Sequence, residues 1–129
     1  MLGACAAPRG MVRDAERTPD VRLVIAPHKV ELAPGIVYDT FAYNDQVPGP
    51  VIRLPKGRNA IVEVTNLLQA PEIVHWHGLE IPSNVDGAEE EGTPPVPPLA
   101  ARRYEFAPTP GGTHWYHTHM LAAKTLMFG

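Results

Sequence analysis

Proline and glycine interrupt this chain too often for it to build long helices. Fifteen prolines and eleven glycines stand among 129 residues, about a fifth of the chain against a usual share of about an eighth. Each internal proline removes a backbone donor and clashes with the preceding helical turn, which argues against a helical bundle. The two residue types also gather at Pro48-Gly49-Pro50, Pro94-Pro95 and 108–112. There they lie between runs of β-branched and aromatic residues rather than inside them. Those runs read as strands over 21–26, 35–43, 51–54, 60–66, 73–79, 102–106 and 114–119. The stretch 60–66 alternates best, with Ala60, Val62 and Val64 on one face and Ile61, Glu63 and Thr65 on the other. Pro55-Lys56-Gly57 ends the 51–54 run as a turn. Short strands at close spacing, with no amphipathic helix before residue 120, predict an all-β sandwich or barrel.

Residues 21–129 are expected to form one domain, after a leader over 1–20 that reads as disordered or as the remnant of an export signal. Hydrophobic residues at 44% and charged residues at 19% fit a globular chain rather than a disordered one. A net charge of −3 with no basic run excludes a nucleic-acid partner. No uncharged apolar run reaches the eighteen or so residues of a membrane span. The single cysteine, Cys5, excludes an internal disulfide framework and a CxxC zinc site. Leu2-Gly3-Ala4-Cys5 is similar to the end of a bacterial lipoprotein signal, which would make Cys5 a lipid anchor. Only Met1 precedes it, so a ragged N-terminus stays open as the other reading.

The chemistry lies in the histidines. Six occur, and four of them form two His-x-His pairs, His75-Trp76-His77 and His117-Thr118-His119. On a strand, residues i and i+2 project from one face, about 6.5–7 Å apart, so two imidazoles can converge on one metal ion or serve two adjacent ones. Imidazole suits copper, zinc, iron and nickel, and it is neutral near pH 7, so binding displaces few protons. Four such rings without a metal would repel one another on protonation. The four are therefore expected to be metal ligands, whereas the unpaired His28 and His114 are expected to be structural or exposed. The acidic stretch 86–91 reads as a solvated loop, with cation attraction as the alternative.

The run His75-Trp76-His77-Gly78-Leu79-Glu80, then Val85-Asp86-Gly87, then Trp115-Tyr116-His117-Thr118-His119, resembles the N-terminal cupredoxin (plastocyanin-like) domain of multicopper oxidases, which include laccases and bacterial cuprous oxidases. Residues 44–50 with Val51-Ile52-Arg53 are similar to that domain's first segment. The resemblance runs from about Val21 to the C-terminus. It implies a Greek-key cupredoxin-like β-sandwich, copper as cofactor, and a place in the periplasm or outside the cell. By position, His75 would be a ligand of a type 2 copper, and His77, His117 and His119 would serve the type 3 pair. Asp86 would be the catalytic acid that assists proton delivery to dioxygen, whose reduction to water takes four protons. An Asp-Gly pair is equally an ordinary tight turn. Trp76, Trp115 and Tyr116 would pack around the site.

The chain departs from the family pattern in what it lacks. A mononuclear type 1 copper needs a thiolate and two imidazoles, and the only thiol is in the leader. The family's two C-terminal motifs are missing, and the sequence stops at Phe128-Gly129, about where a closing strand would begin. An unpaired sheet edge is the expected consequence. The expectation is therefore half of a trinuclear copper site, completed by C-terminal cupredoxin domains or a second chain, and not competent by itself. Other readings stay open: a stand-alone copper carrier, a carbonic-anhydrase-like zinc site that leaves one histidine idle, a cupin, for which Glu80 sits too close to His77, or a remnant without metal.

Overall fold

Among the described residues six strands form, all but the first, which holds Pro27, free of proline and glycine. The computed structural model describes residues 17–120; residues 1–16, with Cys5 and the stretch read as a possible lipoprotein signal end, and 121–129 lie outside the described residues. Strands β1 (Val21–Ala33), β2 (Ile36–Tyr43), β3 (Ala60–Asn66) and β5 (Ala100–Phe106) make one sheet in the order β2-β1-β3-β5. In it β1 and β3 run parallel, and the other neighbours antiparallel. Strands β4 (Val74–His77) and β6 (Trp115–Thr118) make a second, antiparallel sheet. Leu23, Ile25, Val62 and Val64 of the first sheet meet Val74 and Trp76 of the second in one apolar cluster. The Trp76 ring stands edge-on to Tyr104 at 5.7 Å and lies 5.2 Å from Phe106. This is the all-β sandwich that the strand pattern and the resemblance both led to expect.

The observed elements differ from expectation where backbone pairing, not apolar pattern, decides. The strand at 60–66 is where the alternation put it. The 21–26 strand continues to Ala33 because β2 follows it down to Ala33↔Ile36. The parallel partner β3 stops at Ile25, so Pro27 sits where β1 has one neighbour only, a position that tolerates a missing N–H. Residues 51–54 form no strand: Ile52 and Leu54 pack against the core, but Val51 is 81% exposed and no ladder forms. Pro50 and Pro55 bracket this run and remove a donor at each end. With residues 108–116 the segment borders a groove of about 950 Å³, floored by Trp76, Phe106 and Tyr116. Asp86, at the start of the acidic stretch, ends a helical turn α1 (Ser83–Asp86), and the exposed Glu89–Glu91 form a 3-10 turn. Gly87 and Gly92 end them in the left-handed region.

The end of the stretch read as a leader is tied to the sheet. The Asp20 N–H donates to the Ile61 carbonyl (2.9 Å), and its carboxylate accepts from the Ile61 N–H (2.8 Å). Arg17 reaches Glu105 at 3.2 Å.

Candidate metal centre

Register puts the four paired histidines on one face. In the β4–β6 ladder His75 stands opposite His117 and His77 opposite Trp115, and the alternate pairs are Val74 with Thr118 and Trp76 with Tyr116. The His119 N–H donates to the Ile73 carbonyl at 3.2 Å, which carries the pairing one step further. Side chains alternate across a strand, so the histidines and Trp115 emerge on the side away from the core, while Trp76 and Tyr116 point into it. The packing expectation for the aromatics thus holds for Trp115 alone. It stacks on His117 at 4.1 Å and on His77 at 4.7 Å, although 57% of it is exposed.

The His75 ring lies 5.4, 5.3 and 5.2 Å from those of His77, His117 and His119. One nitrogen from each of His75, His77 and His117 falls within 4.8 Å of the others. Two imidazole nitrogens bound to one ion at about 2.0 Å stand about 3–4 Å apart, so the trio is close to ligating geometry. His119 stands outside it, 6.1 Å ring to ring from His117.

Hydrogen bonds aim two of the rings. His75 Nδ1–H donates to the carbonyl oxygen of Asp86 (2.8 Å), and His117 Nδ1–H donates to that of Thr118 (2.8 Å). A carbonyl accepts only, so both rings carry the proton on Nδ1 and present the Nε2 lone pair, the arrangement that holds a metal-binding imidazole in orientation. Burial first, and then the neighbouring rings of His75, His77 and His119, hold the His117 imidazole below its usual range; its bond to Thr118 works the other way. His117 Nε2 lies 3.4 Å from His77 Nδ1, within hydrogen-bond range, and imidazole nitrogens of this kind are a donor set that fits copper.

Asp86 is beside the site because the chain turns sharply there. A Cβ at Gly87 would come 2.0 Å from the Val74 carbonyl oxygen, so only glycine lets α1 press its end against β4. That contact delivers the Asp86 carbonyl, and also its carboxylate at 3.3 Å, to His75 Nδ1. Asp86-Gly87 is thus a tight turn, and its aspartate touches a candidate ligand.

The remaining histidines stay out of the trio. His28, on β1, pairs through Nδ1 with the Asp45 carboxylate at 2.7 Å, and His114 borders the groove next to Gly78. Two further acids lie near the site, Glu90 from the acidic stretch already noted and Glu72, which escaped the sequence reading. Glu90 approaches His119 Nδ1 at 4.0 Å, and Glu72, buried behind β4, accepts from the Thr118 hydroxyl. Pro71-Glu72 at the head of an apolar run looks like a solvated turn, and only the Thr between the two later histidines hinted at a buried partner.

The chain matches the family described as multicopper oxidase over residues 25–128. It is 36% identical to the multicopper oxidase MmcO of Mycobacterium tuberculosis over 104 residues, which are 81% of this chain and 20% of that protein. It is 36% identical to copper resistance protein A of Pseudomonas syringae over 60% of this chain and 13% of that protein. Among solved structures it is similar to a multi-copper oxidase from Pseudomonas thermotolerans, with a TM-score of 0.76 and 33% identity over 84% of this chain and 27% of that one. The blue copper oxidase from Nitrosomonas europaea gives a TM-score of 0.75 and 31% identity, over 81% of this chain and 34% of that one. The chain thus spans between 13% and 34% of the length of these relatives. With a matching profile over most of its length, relatives above 30% identity and a β-sandwich that carries two strand-borne histidine pairs, the chain belongs to the multicopper oxidase family, of which it forms a copper-binding part.

Proposed function

We propose that this chain supplies half of a trinuclear copper site in an oxidase that acts outside the cytoplasm and couples one-electron oxidation of a substrate to reduction of dioxygen to water. The observation that carries the reading is the trio of imidazole nitrogens on adjacent antiparallel strands, with His75 and His117 each tied back through Nδ1. His75 serves the type 2 position, and His77, His117 and His119 the type 3 pair. Copper held by these imidazoles would supply one-electron redox chemistry towards dioxygen.

The chain's own residues do the rest. Asp86 orients His75 through its carbonyl, and its carboxylate, 17% exposed, can order a water and pass protons towards the site. Trp115 covers one side of His77 and His117 and limits their rotation. The remaining ligands come from C-terminal cupredoxin domains or from a second chain.

The test is elemental analysis of the chain after reconstitution with cuprous or cupric ion, beside His77→Ala and His117→Ala. Both variants should lose bound copper; unchanged content in both would remove these residues as ligands. The trio taken alone also has the makings of a three-imidazole zinc site. Preferential retention of zinc from an equimolar mixture would favour that reading.

A further inference from the structure

A buried carboxylate stands behind the metal-facing strands and has no part in the function just proposed. Glu72 is 1% exposed, three residues ahead of His75. A buried carboxylate is costly unless hydrogen bonds compensate its charge. Here Oε1 accepts from two donors, the Thr118 hydroxyl and the Ile73 backbone N–H at 3.1 Å. The backbone of Glu72 is held as well: its N–H donates to the Val96 carbonyl (3.0 Å), and its carbonyl accepts from the Val96 N–H (2.7 Å).

Both of those donors belong to the scaffold of the histidines. Thr118 is fully buried between His117 and His119. Its carbonyl is the acceptor that fixes His117 Nδ1–H, and its hydroxyl accepts from the Met120 N–H at 3.4 Å. Ile73 offers the carbonyl that holds the His119 N–H. One carboxylate oxygen, anchored through Val96, therefore grips the residue between two candidate ligands and the residue that secures the outer one. Folding alone does not ask for a charge here, since an apolar side chain of similar volume at a buried site is often neutral or stabilising.

We infer that Glu72 is a positioning residue for the copper ligands: acting through Thr118 and Ile73, it fixes the tautomer and direction of His117 and the backbone step that carries His119. This inference rests on the reading that His117 and His119 bind copper. Loss of such an outer partner lowers metal affinity about 10–100-fold.

The experiment compares the chain with Glu72→Gln, Glu72→Leu, Thr118→Ser and Thr118→Val. Three readouts are taken: copper affinity by competition titration, the electron paramagnetic resonance spectrum of bound cupric ion, and ring nitrogen shifts of His117 in the copper-free chain. Gln keeps an acceptor and Ser keeps the hydroxyl, so both should retain the affinity, the spectrum and a single Nδ1–H tautomer. Leu and Val should lose about tenfold or more in affinity and show His117 exchanging between tautomers. Thr118→Val is nearly isosteric and keeps the question open to measurement should Glu72→Leu fail to fold. Wild-type affinity together with a single His117 tautomer in folded Thr118→Val overturns the inference. Wild-type copper content in His117→Ala would overturn the ligand assignment instead, and the tautomer measurement, made without copper, is independent of that result.

Discussion

A Cβ at residue 87 would come 2.0 Å from the Val74 carbonyl oxygen and 2.4 Å from the His75 Cα, at a φ of 95°. Gly87→Ala therefore meets left-handed strain and a backbone clash together, and should destabilise the copper-free chain by about 3 kcal/mol, measured by denaturant unfolding. It should also weaken copper binding, because the Asp86 carbonyl must move off His75 Nδ1. The Asp-Gly pair was legible as a turn. Which backbone it would press against was not, since that depends on where β4 passes. His117 gives a second residue-scale outcome. Its folded-state pKa is depressed by burial and by the neighbouring rings, so above the unfolded value of about 6.5 both states are neutral and the ring contributes nothing. As pH falls through about 6.5 the unfolded chain takes the proton first, and the copper-free fold loses stability until the native ring titrates too. Nuclear magnetic resonance titration should place the His117 midpoint below the free imidazole value, and His117→Gln should flatten that part of the stability profile.

The β4–β6 ladder separates stability from metal binding by face. Trp76 is 4% exposed and packs on Tyr104, Phe106 and Tyr116, so Trp76→Ala should cost about 3–5 kcal/mol. Two residues' width away across the pleat, Trp115 is 57% exposed. Trp115→Ala should change stability by less than about 1 kcal/mol while loosening His77 and His117, which copper titration would register as weaker binding. Equal stability losses in the two variants, read from thermal unfolding, would contradict this division. The alternation itself was readable beforehand, because His75, His77, His117 and His119 recur at the strand period. What the period cannot show is pairing. Val51, Ile52 and Leu54 have the composition of a strand but no ladder, whereas β1 runs on through Pro27 because β2 continues beside it. Apolar pattern predicts which face is buried; backbone partners, set by distant segments, decide which runs become strands.

At the scale of the molecule, a four-electron reaction needs more than a place to hold copper. Electrons from a substrate enter such an oxidase at a centre built from a thiolate and two imidazoles. The only thiol in the sequence is Cys5. Of the histidines outside the paired motifs, His28 is engaged with Asp45 on the larger sheet, and His114 borders the groove rather than the trio. No second gathering of three such ligands occurs among the described residues. The chain as given should therefore take up copper and yet show no oxygen consumption coupled to oxidation of phenols or cuprous ion. An oxygen electrode with copper-loaded chain, and His77→Ala as the control, reads this directly. Sustained uptake by the wild-type chain that disappears in His77→Ala would mean that four imidazoles on two short strands complete the reaction unaided, and that the electron-entry centre inferred to lie elsewhere is not required.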